Sequence, residues 1–212
     1  MSRRSGKTLL VYHRPGVPSE RAKIEKLAAA LAGAGIEAET ATIEEALSKP
    51  VPPSHRVFLL MFTRGGHWLS LVEKGYRVEL VPLHLTAAAV AAEASRRGYS
   101  SVLLVALRAH RLRGEQEEDI LRIKHLLEKV YDIHARLNML ESLSPRQPSP
   151  SPAPGEAVAP LALLDGRLVH KACSRAAQGQ CLGPIIDYAD YMIKAWIIDR
   201  VAHSWSARKL DI

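Results

Sequence analysis

Aromatic residues are scarce in this chain. Tyr, Trp and Phe together make up 5% of its 212 residues, so its core must rest on Leu, Val, Ile and Ala. Cysteine is scarcer still, with Cys173 and Cys181 the whole complement. So few cysteines argue against a disulfide scaffold and fit a reducing compartment. The two read as unconnected thiols in a folded segment, with zinc or cluster ligation alongside His170 as the alternative. No apolar run approaches the ~20 residues a membrane-spanning helix needs. The basic start MSRRSGKTLLVYH lacks the apolar stretch of a secretory signal before polar residues resume. A cytoplasmic protein is therefore expected. Nucleic-acid signatures are missing too: there is no RNP-type aromatic pattern, no zinc-finger spacing and no Arg/Lys block.

What is present is an ordinary globular balance, 47% apolar and 24% charged, in a chain long enough for one or two domains. The net charge is +7, with a pI near 9.6. A surplus of that sign favours polyanions: nucleic acid, an acidic membrane, or a small ligand rich in carboxylates or phosphates. It also fits a solvated basic surface with no such partner.

Hydrophobic periodicity organises the first 140 residues. Leu9–His13, Ile36–Ile43, Val57–Phe62, Arg77–Leu83 and Ser101–Leu107 read as strands, and the unbroken apolar run Val57–Phe62 marks a central parallel strand buried on both faces. Helical patterns lie between them at Glu20–Ala34, Glu44–Leu47, a short piece from His67 to Lys74, and Thr86–Arg97. A long charged helix is expected from Gly114 to about Leu140, its core face formed by Ile120, Ile123, Leu127, Val130, Leu137 and Leu140. Its start, Glu115, Glu117, Glu118 and Asp119, suits the positive end of a helix dipole. The alternation argues an α/β fold with a mainly parallel sheet flanked by helices.

The expected organisation is an α/β domain over residues 1–100, then a fifth strand and long helix over 101–143. A Pro/Ser-rich linker over 144–160 and a hairpin with a C-terminal helix over 161–212 complete the chain. The hairpin rests on Asp165-Gly166, which suits a tight primed turn. The helix, Pro184–His203, has only a narrow polar stripe, so it is either deeply buried or the interface of a homodimer. LLVYHRPGVPSERAKIEKLAAAL echoes LLVALRAHRLRGEQEEDILRIKHLL, with Leu107 falling where His13 stands. Either the 101–143 segment opens a degenerate second half or two βα units coincide by chance.

Nine histidines are present. Ligands of open α/β sheets bind beyond the carboxyl ends of the strands, and His13, His67, His84 and His110 all fall just past strands. Neutral imidazole ligates Co, Ni, Fe and Zn and accepts a proton near pH 7. Gly65-Gly66, just before His67, reads either as a shelf where backbone can approach a bulky ligand or as a simple turn with His67 capping a helix.

LLVYH (Leu9–His13) and LLMFTRGGHW (Leu59–Trp68) together resemble class II tetrapyrrole chelatases of the sirohydrochlorin cobaltochelatase (CbiX) type. Pro82-Leu83-His84 is similar to the Pro-Leu-Gly segment that follows that family's fourth strand. The likeness spans about Lys7 to Gly98. It departs from the family where His-Gly-Ser is replaced by His13-Arg14-Pro15, and where Ser70 stands in place of an acidic residue.

The resemblance implies a chelatase-like fold and a lyase of tetrapyrrole or cobalamin biosynthesis. Its substrates would be a sirohydrochlorin-type macrocycle with eight carboxylates and a divalent metal (Co, Ni or Fe), with no tightly bound cofactor. His13 and His67 would be the proton acceptor and the metal ligand. Arg14, Arg64, Gly65, Gly66 and His84 would bind the macrocycle, with Arg108 and Arg111 as further cations. The alternatives are a non-catalytic tetrapyrrole- or metal-binding relative on the same fold and, on charge alone, a basic nucleic-acid-binding module.

Overall fold

Strand and helix alternate through the structure, a computed structural model that describes residues 7–14, 18–48 and 55–207, the last four by backbone alone. The elements are β1 (Thr8–Tyr12), α1 (Pro18–Ala32), β2 (Ala38–Thr42), α2 (Ile43–Ser48), β3 (Arg56–Leu59), α3 (Gly66–Glu73), β4 (Arg77–Leu80) and α4 (Leu83–Arg96). They continue as β5 (Ser101–Leu107), α5 (Arg113–Val130), β6 (His134–Leu140), β7 (Ala157–Pro160), α6 (Arg167–Cys173) and α7 (Ile186–Ala207). All strand pairings are parallel and form two sheets, ordered β2-β1-β3-β4 and β6-β5-β7. The central strands β1 and β5 are the most continuously apolar, as burial on both faces demands. Helices α1 and α4 end at Gly35 and Gly98, whose φ values of 79° and 80° let the next amides, of Ile36 and Tyr99, return to the Leu31 and Ala94 carbonyls.

Side-chain alternation along the strands assigns the faces. Leu10, Tyr12, Phe58 and Leu60 point to one side, where they share a core with Ile24 and Leu27 of α1 and Val90 of α4. Leu9, Val11, Val57 and Leu59 point to the other, against Ala46 of α2 and Leu71 of α3. Val102, Leu104, Ala157 and Ala159 of the second sheet join the first core, together with Ile123 and Leu127 of α5 and Ile193 and Ile197 of α7. Helices α1, α4, α5 and α7 thus form a middle layer between two sheets, and α2, α3 and α6 cover the outer faces. This explains the broad apolar face of α7: Trp196 meets Phe58 of β3 edge to face at 5.2 Å while Ile193 and Ile197 are fully buried.

The two sheets follow one plan. The Leu60 amide donates to the Val11 carbonyl, and the Leu161 amide donates in the same way to Val105, both at 2.8 Å. The Val81 amide reaches Met61 as that of Ile185 reaches Ala162. Gly65 opens α3 and Gly166 opens α6. On this correspondence His13 is matched by Leu107, Glu44 by Glu141 and His67 by Leu168.

Four expectations are corrected. The helix expected to run to Leu140 stops at Val130, which is 62% exposed, and Asp132 takes a left-handed turn (φ 53°) into β6, to which Leu137 and Leu140 belong. The linker is shorter than 144–160, because Ala157–Pro160 is a fully buried strand. There is no hairpin at Asp165-Gly166: the Asp165 amide is held by Glu20 of α1, and Gly166 starts α6. Cys173 and Cys181 are joined in a disulfide, with Cα atoms 5.5 Å apart, and are neither unconnected thiols nor metal ligands. Among the described residues, no helix is long and apolar enough to cross a membrane.

Candidate functional site

The sheet order places β1 between β2 and β3. The chain leaves β1 towards one side and β3 towards the other, so a crevice opens beyond their carboxyl ends. His13 is the first residue past β1, and His67 is the second residue of α3, just past β3. Their rings meet edge to face, with centroids 5.3 Å apart and planes at 67°. His13 is exposed and His67 half-buried. His13 Nδ1 lies 3.1 Å from the Arg14 carbonyl oxygen. A proton on Nδ1, donated to that carbonyl, leaves Nε2 as the basic nitrogen.

A third group completes the cluster. Thr42 and Glu45 cap α2 reciprocally: the Glu45 amide donates to Thr42 Oγ1 and the Thr42 amide to the Glu45 carboxylate. The capping box fixes the first turn of α2, which places Glu44 where its charge acts on both imidazoles. The Glu44 carboxyl is held below the usual range, first by a hydrogen bond from its own backbone amide, then by the Thr42 side chain and the charges of His13 and His67, against an opposing effect of burial. Burial pushes the His67 pKa down, His13 pushes it further, and Glu44 opposes both. Sequence reasoning missed Glu44. The signal was there, since the residue opens a helix at the end of a strand adjacent to β1.

The other expected site residues are placed differently. Arg14 follows His13 and is exposed; among the described residues no carboxylate pairs with its side chain. Arg64 is not a free cation facing a ligand. Its guanidinium pairs with Asp119 at 2.7 Å and Glu118 at 3.2 Å, which holds its pKa above even the ordinary arginine value. The Gly65-Gly66 pair lies against the β5–α5 loop: an added β-carbon would be in ordinary contact with Ala109 at 3.6 Å on Gly65 and with Arg111 at 3.8 Å on Gly66. Gly65 has extended backbone and begins α3, in line with the turn reading. Arg108 is bound to Glu117 and Glu141, and Arg111 to Glu73. His84, on the first turn of α4, lines a groove of about 690 Å³ with Leu83, Leu121, Arg122, His125 and Leu126, which includes neither His13 nor His67. Of the acidic start of α5, Glu117, Glu118 and Asp119 pair with these arginines.

Chemically, the arrangement offers two imidazoles able to accept protons or ligate a divalent cation, a carboxylate whose charge they feel, and the exposed Arg14 guanidinium next in sequence to His13. Among the described residues no group of three His, Cys, Asp or Glu side chains is close enough to enclose a metal ion. Any cation held here rests on the two imidazoles.

No protein-family model matches the chain, and no curated protein does. Among solved structures it is similar to CbiX, described as the terminal enzyme for biosynthesis of siroheme in denitrifying bacteria. The match covers 90% of this chain and 97% of that one, at 21% identity and a TM-score of 0.59. The fold is shared with CbiX. At 90% of the chain, the likeness runs well beyond the stretch where the sequence motifs lie.

Proposed function

We propose that this protein inserts a divalent metal ion, Co²⁺, Ni²⁺ or Fe²⁺, into a sirohydrochlorin-type tetrapyrrole. The observation that carries the reading is the meeting of His13 and His67 across the crevice between β1 and β3. The CbiX fold adds to it. Insertion releases two pyrrole N–H protons as the dication enters, so the site needs a base and a place for the metal. A neutral imidazole serves either need. The lowered pKa of His67 keeps it unprotonated near neutral pH. His13 exposes a basic Nε2 through its Nδ1 contact. The Glu44 carboxylate offsets the charge of the dication or of an imidazolium formed in the reaction. Arg14, with no carboxylate partner among the described residues, suits a peripheral carboxylate of the macrocycle. With only two protein ligands the metal is held weakly enough to pass to the pyrrole nitrogens.

Purified protein mixed with sirohydrochlorin and Co²⁺ tests this by absorbance. Insertion faster than the protein-free reaction, and lost in His13→Ala/His67→Ala, supports it. A second reading, a tetrapyrrole or metal carrier on the same fold, is favoured by His13-Arg14-Pro15 in place of the family's His-Gly-Ser. It predicts a ligand-bound spectral shift without turnover.

A further inference from the structure

We infer that the second half of the chain sets the position of His67 and that Asp119 of α5 is the positioning residue. The inference builds on the proposed role of His67. The helix that carries His67 has little to hold it. It is eight residues long, Gly65 gives it no side-chain cap, and Leu71 is its one fully buried residue. Beyond its packing on the first sheet and on α2, what holds it comes from the β5–α5 loop and α5.

At the amino end of α3, Asp119 Oδ2 accepts the Arg64 main-chain amide at 2.8 Å, and its two oxygens take the Arg64 guanidinium at 2.7–3.2 Å. At the carboxyl end Arg111 pairs with Glu73 at 2.7 Å. Between them, Ala109 and Arg111 lie against Gly65 and Gly66. The β5–α5 loop is itself pinned by buried Gln116, which accepts the Ala109 amide at 2.7 Å and donates to the Leu107 carbonyl at 3.0 Å, and it closes through Leu112 in left-handed backbone (φ 55°). A strained residue persists only where its surroundings over-determine it.

The opposite half carries a matching clasp. Glu20 of α1, buried like Asp119, accepts the Asp165 amide at 2.7 Å. Asp165 precedes Gly166 as Arg64 precedes Gly65. That clasp leads to Leu168, which packs with Leu107 on the outer core of the second sheet. The two clasps are alike in chemistry, but Asp119 fixes an imidazole and Glu20 a leucine. A half without the histidine pair is thereby given a use: it holds the helix of the half that has one.

The test compares Asp119→Ala and Asp119→Asn with Glu20→Gln, all well below their melting temperatures. The readouts are the NMR cross-relaxation between the His13 and His67 rings, the Co²⁺ affinity followed by its visible absorption, and the kcat and KM of metal insertion. Displacing a reacting group by about 1 Å can cost roughly 100-fold. The Asp119 variants should therefore weaken the ring-to-ring signal, raise the Co²⁺ Kd about 10-fold or more, and lower kcat with KM within about threefold. Asp119→Glu should recover part of each. Glu20→Gln should lower the melting temperature and leave the ring signal and Co²⁺ affinity as in the parent. Asp119 variants that are less stable but keep the parent's ring signal and Co²⁺ affinity would overturn the inference. Since the ring signal needs no turnover, it decides the matter even if the protein inserts no metal. Asp119→Asn, close in size to the parent residue, serves if Asp119→Ala does not fold.

Discussion

The rings of His13 and His67 stand edge to face, 5.3 Å between centroids, although 53 residues of sequence separate them. Two nitrogens bound to one metal at about 2.1 Å each lie no more than roughly 4 Å apart. Rings at this spacing can bring nitrogens that close by side-chain rotation alone. The same closeness discourages protonating both rings, so the pair favours at least one free base near neutral pH.

Replacing either histidine by alanine should abolish most of the metal-insertion rate while sparing the fold. Loss of a positioned base or ligand costs about 10²–10⁴-fold. His13 is exposed and His67 only half-buried, so no large cavity follows. Stopped-flow absorbance with sirohydrochlorin and Co²⁺ gives the rate, and circular dichroism melts give the fold. A variant that loses the rate only because it unfolds would show it in the melt.

The depressed pKa of His67 makes a signed prediction about acid. In the unfolded chain the imidazole takes a proton near its ordinary value of 6.5, while in the folded state it resists until lower pH. Between these values the unfolded state binds more protons, so stability falls as pH drops through that window and is fully present above it. The rate should hold through most of that window and fall at its acid end, where His67 of the folded protein takes up its proton. Denaturant melts of the parent and His67→Gln from pH 7.5 to 5 isolate this contribution as their difference. A difference independent of pH would refute it.

Glu44→Gln tests the third member of the cluster. Its charge raises the His67 pKa against burial and against His13. Without it, His67 should become harder still to protonate, and the acid limb of the rate profile should move to lower pH. The maximal rate should fall as well, because no carboxylate then offsets the dication. An acid limb that stays in place would show that Glu44 and His67 are not coupled.

Much of the first sheet was legible because its signals are local. The apolar runs at Leu9 and Val57 and the glycines at 35 and 98 each act within a few residues. What was missed depends on partners far along the chain. Asp165-Gly166 has the local chemistry of a tight turn, yet Glu20, 145 residues away, decides that it opens a helix. Arg64 looked like a free cation until α5 brought Asp119 to it, 55 residues on. The end of α5 carries neither glycine nor proline; Asp132 makes the turn, and Leu137 and Leu140 fit a continuing helix as well as a strand. Of the site itself, two histidines past strand ends could be read. Glu44, whose charge acts on both, was missed, because the meaning of its place at a helix start depends on β2 lying beside β1.

Reducing the disulfide should loosen the edge of the second sheet without disturbing the histidine pair. In the first sheet β4 pairs with β3 over four residues, Arg77–Leu80. The matching position in the second sheet is a single bridge between Val158 and Cys181. Cys181 is tied to Cys173 at the end of α6, and the Arg97 guanidinium gathers the carbonyls of Gly179, Cys181 and Leu182. A covalent link and one arginine thus stand where a strand pairing is missing. Closing so short a loop stabilises the fold by roughly 2–3 kcal/mol through the unfolded chain's lost freedom. Cys173→Ser/Cys181→Ser, or reduction with a dithiol, should lower stability by about that amount in denaturant melts. Hydrogen exchange should quicken at residues 174–182 and not at β1 or α3, and Co²⁺ affinity should hold. Unchanged stability would mean that the Arg97 contacts alone secure this edge. A fall in Co²⁺ affinity would mean that strain at the far edge of the second sheet reaches His67 through the seam.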